Sequence, residues 1–486
     1  MERLGAQDFS FLEFEHLHTP MNIGGVLVVE PSGPEPRVDV ARVRAHVESR
    51  LDRIPRYRQR LVRAPLTGHP FWVEDPRFDI RAHVHHVALP RPGTEEQLKE
   101  LSARLFAQPL DRRRPLWELW VVEGLRDGGY ALLAKVHHAM VDGSERRGSG
   151  LGAPRPRARR GSFGKLLVGP PAKSGGGPLA FARGRRTLET PPGARPRARA
   201  LVSLPREPGK LFREIALGVG TTAEMLGRIV LSPAPPTPLN GDVGPDRRFE
   251  WWAVPLQDVR LVKDRLGGTV NDVALATVAG AVRRFFRRKR WPVSGRDFRA
   301  LVPVNLRTPA ERIVGNRVSA WLTSLPLDVR DPRERYDRVR QLTALLKAKG
   351  EAHGVELASG MGEWADSLLD LWVRLASVRP PYNLIVTNVP GPTFPLYFLG
   401  DPIRSAYPVV PLFEKQGLGI ALFTYHRELF WGFHVDAGVV EDYPEFVAAV
   451  RDSFDELRAL AVRAGRKPPR RSATPVTEKR ARLSGA

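Results

Sequence analysis

The chain has 486 residues, 76 Lys and Arg against 53 Asp and Glu, a net charge of +23 and no cysteine. That length leaves room for two or three domains with a sizeable core. The lack of cysteine excludes a disulfide framework, a thiolate zinc site, an iron–sulfur cluster and a cysteine nucleophile, and no apolar run approaches the roughly 18–20 residues of a membrane span.

The basic excess is uneven. Residues 145–200 carry +12 and residues 461–486 carry +7, so the remainder is close to neutral. The charge therefore does not argue for nucleic acid as a partner. The acids in MERLGAQDFSFLEFEH do not suit a signal peptide, so a cytoplasmic location is expected.

Residues 1–144 alternate strands and helices. NIGGVLVVEP (22–31) reads as a strand and VDVARVRAHVESRLDRI (38–54) as an amphipathic helix. FDIRAHVHHVALP (78–90) is strand-like, and EEQLKELSARLF (95–106) is helical with Thr94 as N-cap. LWELWVVEGL (116–125) and YALLAKVHH (130–138) are strands around the turn Arg126–Gly129. Residues 145–200 hold 11 Gly and 8 Pro, and neither period survives there. Such a stretch cannot bury enough apolar surface to offset its ordering entropy. Helical spacing returns at 207–230. A second α/β region follows, with helices over 269–289, 331–350 and 443–462 and strands over 298–307, 318–327, 382–389 and 419–436.

The sequence holds no G-x-S-x-G elbow, P-loop, G-x-G-x-x-G or H-E-x-x-H. The strongest positive signal is HHAMVDG (137–143), directly after the strand YALLAKV. A histidine at a strand end can face a cavity and act as general base near neutral pH. Adjacent strand residues face opposite sides, so His137 and His138 cannot both enter one cavity. Asp142 can fold back to brace the loop, and Gly143 permits a tight turn. The plainer alternative is two structural histidines and a turn. His83, His85 and His86 form a second cluster. His83 and His85 share a face and could bind a metal, but no third ligand sits at a telling spacing, so ordinary strand histidines are expected.

With HHAMVDG, further stretches point one way: PLWELW (115–120), PLNGDVGPDRRFEW (238–251), GGTVNDVALATVAGAVRR (267–284), LVPVNLR (301–307), GNRVSAW (315–321), TNVPGP (387–392) and the opening DFSFLEFEHLHTPMNIGGVLVVEP. In these the sequence resembles the bacterial wax ester synthase/diacylglycerol acyltransferase family, of the chloramphenicol-acetyltransferase-like superfamily. The resemblance covers about 1–143 and 206–460. It implies two similar α/β domains, with mixed sheets, flanking helices and an active-site tunnel between them. The domains would be 1–144, carrying HHxxxDG, and 241–460. Residues 206–240 would form a linker helix and 461–486 a disordered basic tail.

The implied activity is transfer of a long-chain acyl group from acyl-CoA to diacylglycerol or a fatty alcohol. His138 would be the general base, with His137, Asp142 and Gly143 shaping its loop. Asn271 and Asp272 match the family's Asn-Asp motif and, with Asn388, are candidate substrate-binding residues. From residue type alone, Asn271 and Asp272 are equally good helix caps. Pro115–Trp117 is expected to pack the core, and Asn388–Pro392 to end a strand. No metal or cofactor is expected, and acyl-CoA is a substrate. Peripheral contact with an anionic inner membrane or lipid inclusions is a further expectation. The alternatives are an acyltransferase of the superfamily with another acceptor or a carrier-protein donor, and an inactive homologue that binds lipid surfaces.

The sequence departs from the family after Gly143. Relatives continue with an apolar helix over the active-site loop, whereas here SERRGSGLGAPRPRARRGSFGK follows. Residues 145–205 read either as a long, disordered basic insertion or as a compensated reading-frame error in a GC-rich gene. If the segment is translated as written, the His138 loop would lose its cover and activity would fall.

Overall fold

The computed structural model describes residues 2–33, 38–65, 68–140, 233–305, 318–353 and 380–465. Asp142, Gly143, the basic segment 145–205, residues 206–232 of the expected linker helix, and the tail from 466 onward lie outside the described residues.

The chain opens with strand β1 (Glu2–Arg3) and helix α1 (Ala6–Glu13). β1 joins β3 (Gln59–Arg63) and β4 (Pro70–Glu74) in a small antiparallel sheet. The first large sheet is built on β2 (Asn22–Val29), β5 (Val84–Ala88), β6 (Trp117–Glu123) and β7 (Tyr130–His137). β7 is central and buried at every position. Its alternating side chains feed two cores. Leu132, Ala134 and Val136 join Val43 and Val47 of α2 (Val40–Glu48), while Ala131 and Leu133 join Leu98 and Phe106 of α3 (Glu95–Ala107). α3 begins in a capping box between Thr94 and Gln97, the N-cap expected from the sequence.

Two expected elements are shorter than their apolar pattern. The helix read over 38–54 stops at Glu48, and two 3₁₀ turns carry the chain to Arg58 through Pro55. The strand read over 78–90 starts only at Val84, because the Asp79 side chain caps a 3₁₀ turn at Ile80–Ala82.

The second large sheet contains β8 (Arg247–Pro255), β9 (Arg299–Asn305), β10 (Val318–Ser324), β11 (Leu384–Pro390), β14 (Leu418–Tyr425) and β15 (Glu428–Asp436), in the order β10-β9-β11-β14-β15-β8. Helices α4 (Leu256–Leu266), α5 (Val270–Arg288) and α7 (Tyr443–Gly465) bury their apolar stripes on one face, where Val278, Phe285, Phe446 and Val450 meet Trp431 and Phe433. α6 (Pro332–His353) lies between β10 and β11 in the chain.

The sheets do not follow the expected domains 1–144 and 241–460 strictly, because two strands of the second half join the first sheet. β12 (Tyr397–Phe398) and β13 (Asp401–Val409) leave the second half and extend the first sheet, β13 pairing antiparallel to β2 from Ile403–Val29 to Val409–Gly24. The glycine pair in β2 allows this. A Cβ on Gly24 would strike the Ala134 carbonyl and one on Gly25 the Tyr407 carbonyl, so β2 sits close to both neighbours. The expected linker helix is not helical over 233–240, where four prolines occur. That segment is instead tied down by Asn240, whose amide donates to the Asn383 and Lys415 carbonyls, and by Asn383, which donates to Pro235 O. The expected tail begins later than 461, since α7 runs to Gly465 and buries Ala461.

Contacts between the halves are both apolar and charged. Trp251 of β8 stacks on Tyr407 of β13 at 4.6 Å, and Lys99 of α3 reaches Glu250 at 2.9 Å. Arg247 is buried against Asp436 at 2.5 Å and also donates to the His18 carbonyl.

Candidate active site

β7 ends at His137, and His138 opens a 3₁₀ turn, His138–Met140. The backbone of the pair is held from two sides: His137 N donates to Leu116 O at 3.0 Å and His138 N to Met21 O at 2.8 Å. Leu116 belongs to the Pro-Leu-Trp motif, and both it and Trp117 are fully buried, with Trp117 Nε1 donating to Tyr57 O at 2.9 Å. That motif packs the core, as expected.

The two imidazoles have different surroundings. His137 is 1% exposed. Its Nδ1 accepts from Ala139 N at 3.1 Å, so in the neutral ring the proton sits on Nε2. Nε2 lies 3.6 Å from Glu15 Oε2, too far for a hydrogen bond. Arg112 holds the same Glu15 oxygen through Nη2 at 2.6 Å and Nε at 3.1 Å, and Met21 N donates to Glu15 Oε1 at 3.3 Å. Burial pushes the Glu15 carboxyl up, but His137 and Arg112 outweigh it and hold the group at about 2. Glu15 is therefore a fixed anion beside His137.

His138 is only partly exposed, and its ring stacks on Phe11 at 3.7 Å with 20° between the planes. Its Nδ1 is buried and bonded to no described residue. Burial first, and the neighbouring His137 second, push its pKa down to about 4. At neutral pH the ring is therefore uncharged, the form a general base needs. Thus His137 is held through Nδ1 by Ala139 N and has its Nε2 near Glu15, whereas the Nδ1 of His138 is bonded to no described residue.

Asp272 serves as a cap. Its Oδ2 accepts from Thr269 N at 2.7 Å and Thr269 Oγ1 at 2.9 Å, and Thr343 Oγ1 donates to its Oδ1 at 2.5 Å. Both oxygens are engaged, and α5 is tied to α6. Asn271, the neighbouring residue on α5, is half-buried and bonded to no described residue. Asn388 lies in β11 opposite Leu422, partly exposed near the strand end. All three belong to the second sheet and its helices, and none has a described contact with the histidine pair. In the second histidine cluster, His83 and His85 pack against aromatic rings, and His86, exposed, lies 3.2 Å from Glu123. His83 bonds Trp117 O at 2.8 Å and stacks between Phe78 and Trp117, and His85 stacks on Trp120. No group of three or more metal-ligating side chains occurs among the described residues.

Sequence reasoning missed Glu15, Arg112 and Phe11 as members of the site. The signal available for Glu15 was an acid inside the apolar run FSFLEFEHL; Arg112 is one of three consecutive arginines with nothing to single it out.

Among the described residues, two six-stranded sheets joined by an exchanged strand, with a histidine pair at the end of a central strand, define a chloramphenicol-acetyltransferase-like fold. The wax ester synthase/diacylglycerol acyltransferase from Marinobacter aquaeolei VT8 shares it, with a TM-score of 0.64 and 24% identity over 95% of this chain and 100% of that one. A mutant starter condensation domain of rhizomide synthetase shares it at 13% identity and a TM-score of 0.55, over 95% and 94% of the chains. The family model for the wax ester synthase/diacylglycerol acyltransferase catalytic domain matches residues 4–153 and 178–274, and that for the C-terminal domain of the same enzymes matches 314–458. The chain belongs to this acyltransferase family. "Probable diacyglycerol O-acyltransferase tgs1" of Mycobacterium tuberculosis is 34% identical over 481 residues, covering 97% of this chain and 98% of the relative. The tgs2 protein of the same organism is 31% identical over 486 residues, covering 94% and 99%. The catalytic-domain match breaks between 153 and 178, inside the basic segment. Among the described residues no helix is long and apolar enough to cross a membrane.

Proposed function

We propose that the protein transfers a long-chain acyl group from acyl-CoA to the hydroxyl of diacylglycerol or a fatty alcohol, with His138 as general base. The observation that carries this is the uncharged imidazole of His138, with Nδ1 bonded to no described residue, beside a His137 held through its Nδ1 by Ala139 N. His138 takes the hydroxyl proton as the alcohol oxygen attacks the thioester carbonyl. The tetrahedral oxyanion collapses, the carbon–sulfur bond breaks, and His138 returns the proton to the departing CoA thiolate. Proton transfer of this kind contributes about 10²–10⁴-fold, and holding both substrates in one site contributes more. Glu15 and Arg112 keep His137 fixed so that the turn presents His138 in one orientation. Asp142 and Gly143 shape the loop beyond it, as the family motif implies. Asn271 of α5 and Asn388 of β11, whose side chains are bonded to no described residue, contact substrate from the second half of the chain.

The acyl group passes directly between substrates, without an acyl-enzyme or a cofactor. The basic tail beyond Gly465 adds attraction to an anionic membrane or lipid-inclusion surface, where each cation near the surface is worth about 1 kcal/mol.

Pre-steady-state CoA release from a long-chain acyl-CoA tests direct transfer. CoA should appear only when diacylglycerol or a fatty alcohol is present. A stoichiometric burst without acceptor would refute it. Faster turnover from an acyl-carrier protein than from acyl-CoA would favour the carrier-donor alternative.

A further inference from the structure

Lys135 is buried to 1% exposure on β7, two residues before His137 and on the same face. Its ammonium donates to Leu105 O at 3.0 Å and to Glu118 Oε2 at 3.1 Å. Leu105 lies in the last turn of α3, where its carbonyl otherwise accepts only a long bond, 3.4 Å, from the C-cap Gln108 N. Asn22, paired with His137 across β2 and β7, takes two more carbonyls at that helix end: Phe106 O at 3.2 Å and Gln108 O at 2.8 Å. A buried cation and a buried amide thus anchor the C-terminus of α3 onto the strands beside the histidine pair, where the helix dipole favours positive charge.

The chain leaving α3 returns to the same place. Arg112 follows a few residues later and binds both the Leu12 carbonyl, at 3.1 Å, and Glu15. Glu15 faces His137, which stands on the strand that carries Lys135. The contacts close a circuit: Lys135 to the end of α3, the α3 exit to Arg112, Arg112 to Glu15, Glu15 to His137, and β7 back to Lys135. Removing the ammonium leaves the Leu105 carbonyl with only the long 3.4 Å bond from Gln108 N, takes the cation from Glu118, and loosens the anchor that sets where Arg112 stands.

We infer that Lys135 is a positioning residue for acyl transfer, fixing the Arg112–Glu15 pair against His137 through the C-terminal end of α3. This rests on the reading of the histidine pair as the reaction centre. A misplacement of about 1 Å in such a support costs up to about 10²-fold in rate.

The test is a double-mutant cycle in kcat with Lys135→Met and Arg112→Gln, using a long-chain acyl-CoA and a diacylglycerol. Each single change should lower kcat by about 10–100-fold with the KM for acyl-CoA altered less than about twofold, and the double variant should be no slower than the slower single one. A Lys135→Met enzyme with wild-type kcat, or losses that multiply in the double variant, would overturn the inference. Should Lys135→Met not fold, Asn22→Ala, which removes the adjacent tie to the same helix end, goes through the same cycle with the same criteria. A second readout does not depend on turnover. In the wild type the ¹⁵N shifts of His137 should report the Nε2–H tautomer alone, and Lys135→Met (or Asn22→Ala) should mix the two tautomers. An unchanged tautomer would count against Lys135 even if His138 proved not to be the base. Loss of the positioning effect with His138 still essential would leave the functional reading standing.

Discussion

Replacing Glu15 with Gln removes a charge that the fold has drawn well away from its ordinary behaviour. The carboxyl drops from 4.5 to about 2 because His137 and Arg112 outweigh the opposing effect of burial. At about 1.4 kcal/mol per pH unit this displacement corresponds to about 3 kcal/mol of stability, with little solvent screening because the Glu15 side chain is only 7% exposed. The carboxyl is depressed in the folded protein, so this stability is fully present above the unfolded value and is lost as the pH falls toward the folded one. Urea unfolding of wild type and Glu15→Gln between pH 7 and pH 3 should show the wild type more stable by up to about 3 kcal/mol above pH 5, with the gap narrowing below about pH 4.5. A gap that stays constant on acidification, or widens, would refute the assignment of Glu15 as a carboxylate held by His137 and Arg112.

Phe11→Ala should let water reach His138 and raise its pKa from about 4 toward 6.5, since burial is the main cause of the depression. The acid limb of the rate profile should then move to higher pH, and an unmoved limb would show that Phe11 does not shield the ring. Asp272→Ala should cost about 1–2 kcal/mol in urea unfolding through loss of the α5 cap, whereas Asn271→Ala should leave stability unchanged and raise the KM for a substrate; the reverse pattern would exchange their roles. Arg247→Met should destabilise by about 3–5 kcal/mol, because it leaves Asp436 buried without its cation. Unaltered unfolding would contradict the ion pair as the buried link between β8 and β15.

Elements with a strong local pattern were legible in the sequence. YALLAKVH is strand-forming and bounded by a turn, α3 has its Thr94 cap, and α5 follows Thr269 with a long apolar stripe. Elements decided by distant partners were not. β13 owes its place to β2, which precedes it by several hundred residues, and no local period in DPIRSAYPV tells which sheet it will join. Local side-chain bonds were the other blind spot. Asp79 converts the start of an apparent strand into a 3₁₀ turn, and four prolines keep 233–240 out of a helix. For the site, HHAMVDG announced the histidines, but Glu15 and Arg112 lie on separate segments that only the fold brings to His137. Asn271 and Asp272, indistinguishable as caps by residue type, are separated once the bonds to Thr269 and Thr343 are seen.

The role of His138 is tested most directly by CoA release from the purified His138→Ala enzyme, with a long-chain acyl-CoA and either diacylglycerol or a fatty alcohol as acceptor. Loss of at least about 10²-fold in kcat, with the unfolding midpoint within experimental error of wild type, is the predicted result. Wild-type turnover by this variant with either acceptor would contradict His138 as the base.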